Sequence, residues 1–126
     1  MTVTHINPAA LHRNPAFSQG VLAEGGRTLY IGEQNGTDSE GAITGDFGAQ
    51  TRQALKNVLA VLAEVGADQS AVVKLTIYFQ QGQSVQEGFA ASGDVWGMSP
   101  TAITVIPVPA LGRPEALLGI EAIAVV

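Results

Sequence analysis

The sequence predicts one α+β domain with the element order ββαβαββ, a single sheet carrying two helices on one face. Three observations support this: two apolar stripes with helical spacing, β-branched runs with strand character, and strands joined through helices. At 126 residues the chain is one domain spanning 1–126, without repeat, linker or low-complexity tract. A chain of that size buries roughly two-thirds of its unfolded surface.

The chain opens with a polar, proline-punctuated arm running to about Pro15. FSQGVLAEGGRTLYIGEQ (17–34) then gives two apolar runs around Gly25-Gly26, a pair that tolerates the positive φ of a tight turn and predicts a β-hairpin. A loop rich in Gly, Asn and Asp, NGTDSEGAITGD, leads to the first helix. Asp46 is its expected cap and Gly66 its stop. Between them Phe47, Thr51, Leu55, Val58, Leu62 and Val65 recur at spacings of three and four, while Arg52, Gln53 and Lys56 face away.

AVVKLTIYF (71–79) reads as a central strand. Ser84-x-x-Glu87 is a capping-box pattern and predicts a second, short helix with Val85, Phe89, Ser92 and Trp96 on one face. Gly88 and Gly93 each weaken it by about 1 kcal/mol relative to Ala. SPTAITVIPVP (99–109) carries no charge and predicts a buried strand bounded by prolines. After a turn at Leu111–Pro114, LLGIEAIAVV forms the last strand. With both helices on one face, the other face is left for another subunit, and it is expected to be apolar.

Composition points the same way. Hydrophobic residues make up 46% and charged residues 13%, and interface cores are depleted in charge. Net charge is −5 with only six Lys and Arg, so no basic stripe exists for nucleic acid. Cys is absent, which removes disulfides and thiol chemistry. The N-terminus has no secretory pattern, no run approaches the roughly 20 apolar residues of a membrane span, and a cytoplasmic location is expected. His5 and His12 lack paired ligand spacing, so no metal is expected.

GDFGAQTRQALKNVLAVLAEVGADQSAVVKLTIYF, with FSQG upstream and IEAIAVV at the end, resembles the Rid family of YjgF-type reactive-intermediate deaminases, from about Phe17 to Val126. The resemblance implies a chorismate-mutase-like fold, a homotrimer with its sheets in a central barrel, and ligand clefts between subunits. It also implies, in deaminating members, an arginine for the substrate carboxylate and a glutamate that positions water, with a tyrosine, a serine and an asparagine lining the cleft. In this chain those positions fall at Ala102, Gly119, Phe17, Ile31 and Phe89. Each change removes a charged or polar group, so the resemblance implies an apolar cleft and loss of 2-imino acid deamination.

Thr104, two residues past Ala102, and Glu121, two past Gly119, are the candidate catalytic residues. Gln19, Tyr30, Gly32, Glu33 and Trp96 complete the expected binding set, and Arg113 is a possible substitute cation from a loop. The expected function is hydrolase-like handling of a small imine, enamine or other neutral metabolite by water or proton transfer. No cofactor is implied. The alternative is a non-catalytic trimer that binds a small molecule or a protein.

Overall fold

The computed structural model describes all 126 residues, in the order β1 (Thr2–Ile6), β2 (Gly20–Glu24), β3 (Thr28–Gln34), α1 (Phe47–Ala63), a 3-10 turn at Gln69–Ala71, β4 (Val72–Gln80), α2 (Val85–Trp96), β5 (Ala102–Val108) and β6 (Leu118–Val125). Asp46 caps α1, its carboxylate accepting from the Ala49 amide at 2.9 Å. Ser84 caps α2 by accepting from the Glu87 amide at 3.2 Å. Both helices give way to glycines at positive φ, Gly66 at 71° and Gly97 at 67°.

Four strands form one sheet in the order β3-β6-β4-β5. β6 runs antiparallel to both β3 and β4, and β4 lies parallel to β5 with α2 as the connection. The two helices pack on a mixed sheet, as the sequence predicts, with β4 in an interior position. Phe47, Leu55, Val58 and Leu62 of α1 join Leu75, Phe79, Leu118 and Ile120 of the sheet in one core. Val58 and Leu62 are fully buried, each stabilising the fold by roughly 1.5–3 kcal/mol.

The first hairpin differs from the sequence reading. Gly25 and Gly26 do reverse the chain, at φ 70° and 76°. Yet β2 pairs with β1, from Thr2↔Glu24 to Ile6↔Gly20, whereas β3 pairs with β6. Arg27 and Val126 exchange backbone hydrogen bonds at 2.7 and 2.8 Å. A Cβ on Gly26 would stand 2.7 Å from the Val126 carbonyl oxygen. The glycine pair is therefore a crossing point beside the C-terminus. The supposed arm is in part a strand, because TVTHI has enough β-branched character to pair with β2.

β5 is also different. It is an edge strand, paired only with β4, and Thr104 to Pro107 are exposed rather than buried. Pro107 has no N–H to donate and is accommodated because one side of β5 has no partner. The sheet face away from the helices is mixed rather than apolar. Register places Lys74, Thr76, Tyr78 and Gln80 of β4 there, beside Ala102, Thr104 and Ile106 of β5 and Gly119 and Glu121 of β6. Alternation along β4 explains this: Leu75, Ile77 and Phe79 turn to the helices and the polar residues between them turn away.

Candidate functional site

Polar side chains gather around Gly119 on the open sheet face. Tyr78 is its Cα partner on β4 and donates a hydrogen bond to Glu121 Oε1 at 3.0 Å. That bond, with partial burial and the negative charges of Glu121 and Glu33, raises the Tyr78 phenol above its ordinary range. Glu33 reaches over from β3. A Cβ built on Gly119 would lie 2.5 Å from Glu33 Cδ and 2.6 Å from Cγ and Oε2. Asn35 donates to the Leu118 carbonyl at 2.9 Å and, over 3.4 Å, to Glu33 Oε1. Further along the face, Lys74 Nζ donates to Thr104 Oγ1 at 2.6 Å. A depression of about 260 Å³ is bordered by Tyr30, Gly32, Lys74, Thr76 and Glu121.

On the helix side a second cavity, about 450 Å³, opens between α2 and β4–β5. Phe17, Phe47, Phe79, Phe89 and Trp96 form its aromatic walls, and Val105 and Met98 its rim. None of its 24 lining residues is charged, so an ionised ligand there would lose its hydration without gaining a counter-charge. The indole N–H of Trp96 is already used, donating to the Ser99 carbonyl at 3.1 Å. Phe89 is 63% exposed and Val85 53%. Only the Trp96 end of the apolar stripe predicted for α2 is therefore buried.

Within one chain the residues singled out from the sequence fall into two groups on opposite faces of the sheet. Phe17, Phe89 and Trp96 border the apolar cavity. Tyr30, Gly32, Glu33, Ala102, Thr104, Gly119 and Glu121 belong to the open face. Ile31 borders the open-face depression, but at 3% exposure it packs in the core. Gln19 is committed to the N-terminal segment: its amide donates to the His12 carbonyl at 3.0 Å, and its backbone N–H donates to Asn7 Oδ1 at 3.1 Å. Arg113 borders neither opening; it donates to the Gly41 carbonyl at 2.6 Å and pairs with Glu115 at 3.2 Å.

Sequence reasoning missed Tyr78, Lys74 and Asn35 as members of the polar group. The signal for the first two was the period-two alternation of KLTIYFQ, which assigns Lys74, Thr76, Tyr78 and Gln80 to one face. Asn35 had no such signal, because its partner lies 83 residues away in sequence.

Comparison with known proteins gives a consistent picture. The family model described as Endoribonuclease L-PSP matches residues 7–126. A RutC family protein of Pyrococcus horikoshii is 31% identical over 110 residues, covering 86% of this chain and 85% of the relative. The 2-iminobutanoate/2-iminopropanoate deaminase of Rattus norvegicus is 38% identical over 72 residues, 56% of this chain and 49% of that protein. Among solved structures, YyfB of Yersinia pestis, a Rid family protein of unknown function, superposes with a TM-score of 0.89 at 33% identity over the whole of both chains. No helix here is long and apolar enough to cross a membrane.

Proposed function

This chain belongs to the Rid family, whose model carries the endoribonuclease L-PSP description, and from that premise we propose that it hydrolyses a small neutral imine or enamine rather than an imino acid. Two observations carry the reading: no charged residue lines the apolar cavity, and the open face has Ala102 where the resemblance expects a carboxylate-binding arginine. A substrate without a carboxylate suits both.

The proposed assembly is a homotrimer in which the apolar wall of one copy, with Phe17, Phe89 and Trp96, meets the polar open face of the next. The exposed, uncharged edge strand β5 supports it, since such an edge calls for a cover. So does Tyr30, 75% exposed on the open face. Light scattering then gives about three times the 13.0 kDa chain mass; a monomer overturns the shared site.

In the proposed reaction water adds to the C=N carbon, the nitrogen departs as ammonia and a carbonyl remains. Glu121, fixed by Tyr78, is an acceptor for a water hydrogen. Thr104 accepts from Lys74, which leaves its own O–H free to donate to the developing nitrogen or oxygen. Ammonia release above background is the assay. The imine that a flavin amine oxidase forms from benzylamine should be turned over, and 2-iminopropionate should not. Equal rates on both overturn the preference.

A second reading, a non-catalytic binder, is favoured by one feature: the apolar cavity contains no titratable side chain. It predicts no ammonia release from either imine, with a melting temperature raised by a neutral aromatic such as benzyl alcohol.

A further inference from the structure

We propose that Glu33 is a catalytic carboxylate of this chain, placing the attacking water from β3 over the position where Gly119 has no side chain. The inference rests on the imine-hydrolysis reading and assigns a residue to it.

The geometry is an interlock. Three atoms of Glu33 lie within 2.6 Å of the ideal Cβ position at residue 119. Real Cβ atoms do not tolerate such contacts, so the glutamate occupies this space only because residue 119 is glycine. Strand pairing explains how it gets there. Ile31 pairs with Ala122, but Gln34 pairs with Ile120, so β3 spends three steps where β6 spends two. That bulge lies beside Glu33 and carries it across the face of β6. Asn35, anchored on the Leu118 carbonyl, stands behind the carboxylate.

The two carboxylates of the cluster are not equivalent. Glu121 Oε1 holds a 3.0 Å hydrogen bond from Tyr78, whereas Glu33 has only the long 3.4 Å approach of Asn35. Glu33 is also solvent-exposed. It therefore keeps its acceptor capacity for a water molecule, which Tyr78 and Glu121 help to confine. In the step itself the water oxygen bonds the imine carbon while Glu33 takes the water proton. Glu33 passes that proton to the nitrogen, giving a carbinolamine. It then takes the remaining hydroxyl proton as the carbonyl forms and hands it to the nitrogen, which leaves as ammonia when the C–N bond breaks. Glu33 ends as it began, and one imine and one water give one carbonyl compound and one ammonia.

The group is also selective. Glu33 and Glu121 place two negative charges on this face, and Lys74 is turned to Thr104. Around Gly119 the two carboxylates outweigh the single Lys74 ammonium held beside Thr104, so this end of the face disfavours a carboxylate and favours a neutral or protonated imine.

The test uses the benzylamine-derived imine with wild-type protein and Glu33→Gln, an isosteric change at an exposed position. The expected result is a fall in kcat on the order of 10²-fold, the usual scale for a general base, with KM nearly unchanged and the acidic limb of the pH–rate profile lost. Moving the carboxylate, in Glu33→Gly combined with Gly119→Glu, should restore a large part of the rate. An active wild type with an equally active Glu33→Gln variant overturns the role of Glu33 and leaves the reaction standing. A wild type that releases no ammonia above background overturns the reaction, and the catalytic role of Glu33 with it.

Discussion

The phenol of Tyr78 donates to Oε1 of Glu121 at 3.0 Å, joining the central strand β4 to β6 on the face that lies away from both helices. This bond fixes the sign of a pH effect. It is the largest cause holding the phenol above its ordinary 10.0, followed by burial and then the charges of Glu121 and Glu33. The folded protein therefore keeps the proton to higher pH than the unfolded chain does. The resulting stability is complete below the unfolded value and is lost as pH rises through the folded one. Urea titrations between about pH 9 and pH 12 should show a steeper loss for wild type than for Tyr78→Phe. Parallel curves would mean that the bond is not kept in solution.

Gly119 and Glu33 exclude one another sterically, and that also makes a stability prediction. A methyl group at 119 must displace a carboxylate whose Cδ lies 2.5 Å from it. Gly119→Ala should cost under about 1 kcal/mol, because what stands in the way is the flexible end of an exposed side chain that can rotate aside. Glu33→Ala alone should be nearly neutral, since the side chain is exposed and makes no ion pair. The double variant Gly119→Ala, Glu33→Ala should then recover most of the loss, giving a coupling energy in a double-mutant cycle. Additive effects would place Glu33 elsewhere.

Gln50 is the buried polar tie between α1 and the segment entering β6. Its amide donates to the carbonyls of Gly45 and Glu115 at 3.1 and 3.2 Å and accepts from the Leu117 amide at 2.9 Å. Gln50 itself is 3% exposed, while its partners lie on exposed or half-buried residues. Gln50→Leu keeps much of the volume but removes three part-buried hydrogen bonds whose partners water can partly reach, so a loss of about 1–3 kcal/mol is expected in urea unfolding. Because this segment feeds Leu118 and Gly119, the variant should also reduce imine turnover where it still folds.

What the sequence disclosed depended on the range of the interaction. α1 was readable because Asp46, the stripe from Phe47 to Leu62, and Gly66 are all local signals, each acting within a few turns of helix. Ser84 and Glu87 marked α2 for the same reason. The partner of β2 was not readable. Gly25 and Gly26 specify a reversal, but the choice between β1 and β3 is settled by how β3 reaches Val126 at the far end of the chain. The edge position of β5 was hidden by its lack of charge, although Pro107 hinted at it. In the candidate site, Ala102 and Gly119 stood out only against the family pattern. The place of Glu33 depends on a bulge that has no sequence signature beyond a neighbouring glycine, Gly32.

The sharpest test of substrate class is at Ala102, which pairs with Lys74 on the open face, two residues before Thr104. Lys74 is a cation beside this position, but its ammonium donates to Thr104; if the absence of a guanidinium is what excludes imino acids, adding one should bring them back. Ala102→Arg places a guanidinium on the face that carries Thr104 and Glu121, able to hold a carboxylate through two hydrogen bonds. A charge-assisted hydrogen bond contributes roughly 1.5–3 kcal/mol, so kcat/KM for 2-iminopropionate should rise on the order of 10–100-fold above wild type. Turnover of the benzylamine-derived imine should fall, because the new cation opposes a protonated imine and fills the space that an uncharged group would use. Ala102 is half-buried on an edge strand with a free side, so the larger residue can be accommodated, and an unchanged melting temperature would verify that. A folded variant with no gain on 2-iminopropionate would show that the absent arginine does not set the specificity, and that the two carboxylates alone repel the acid.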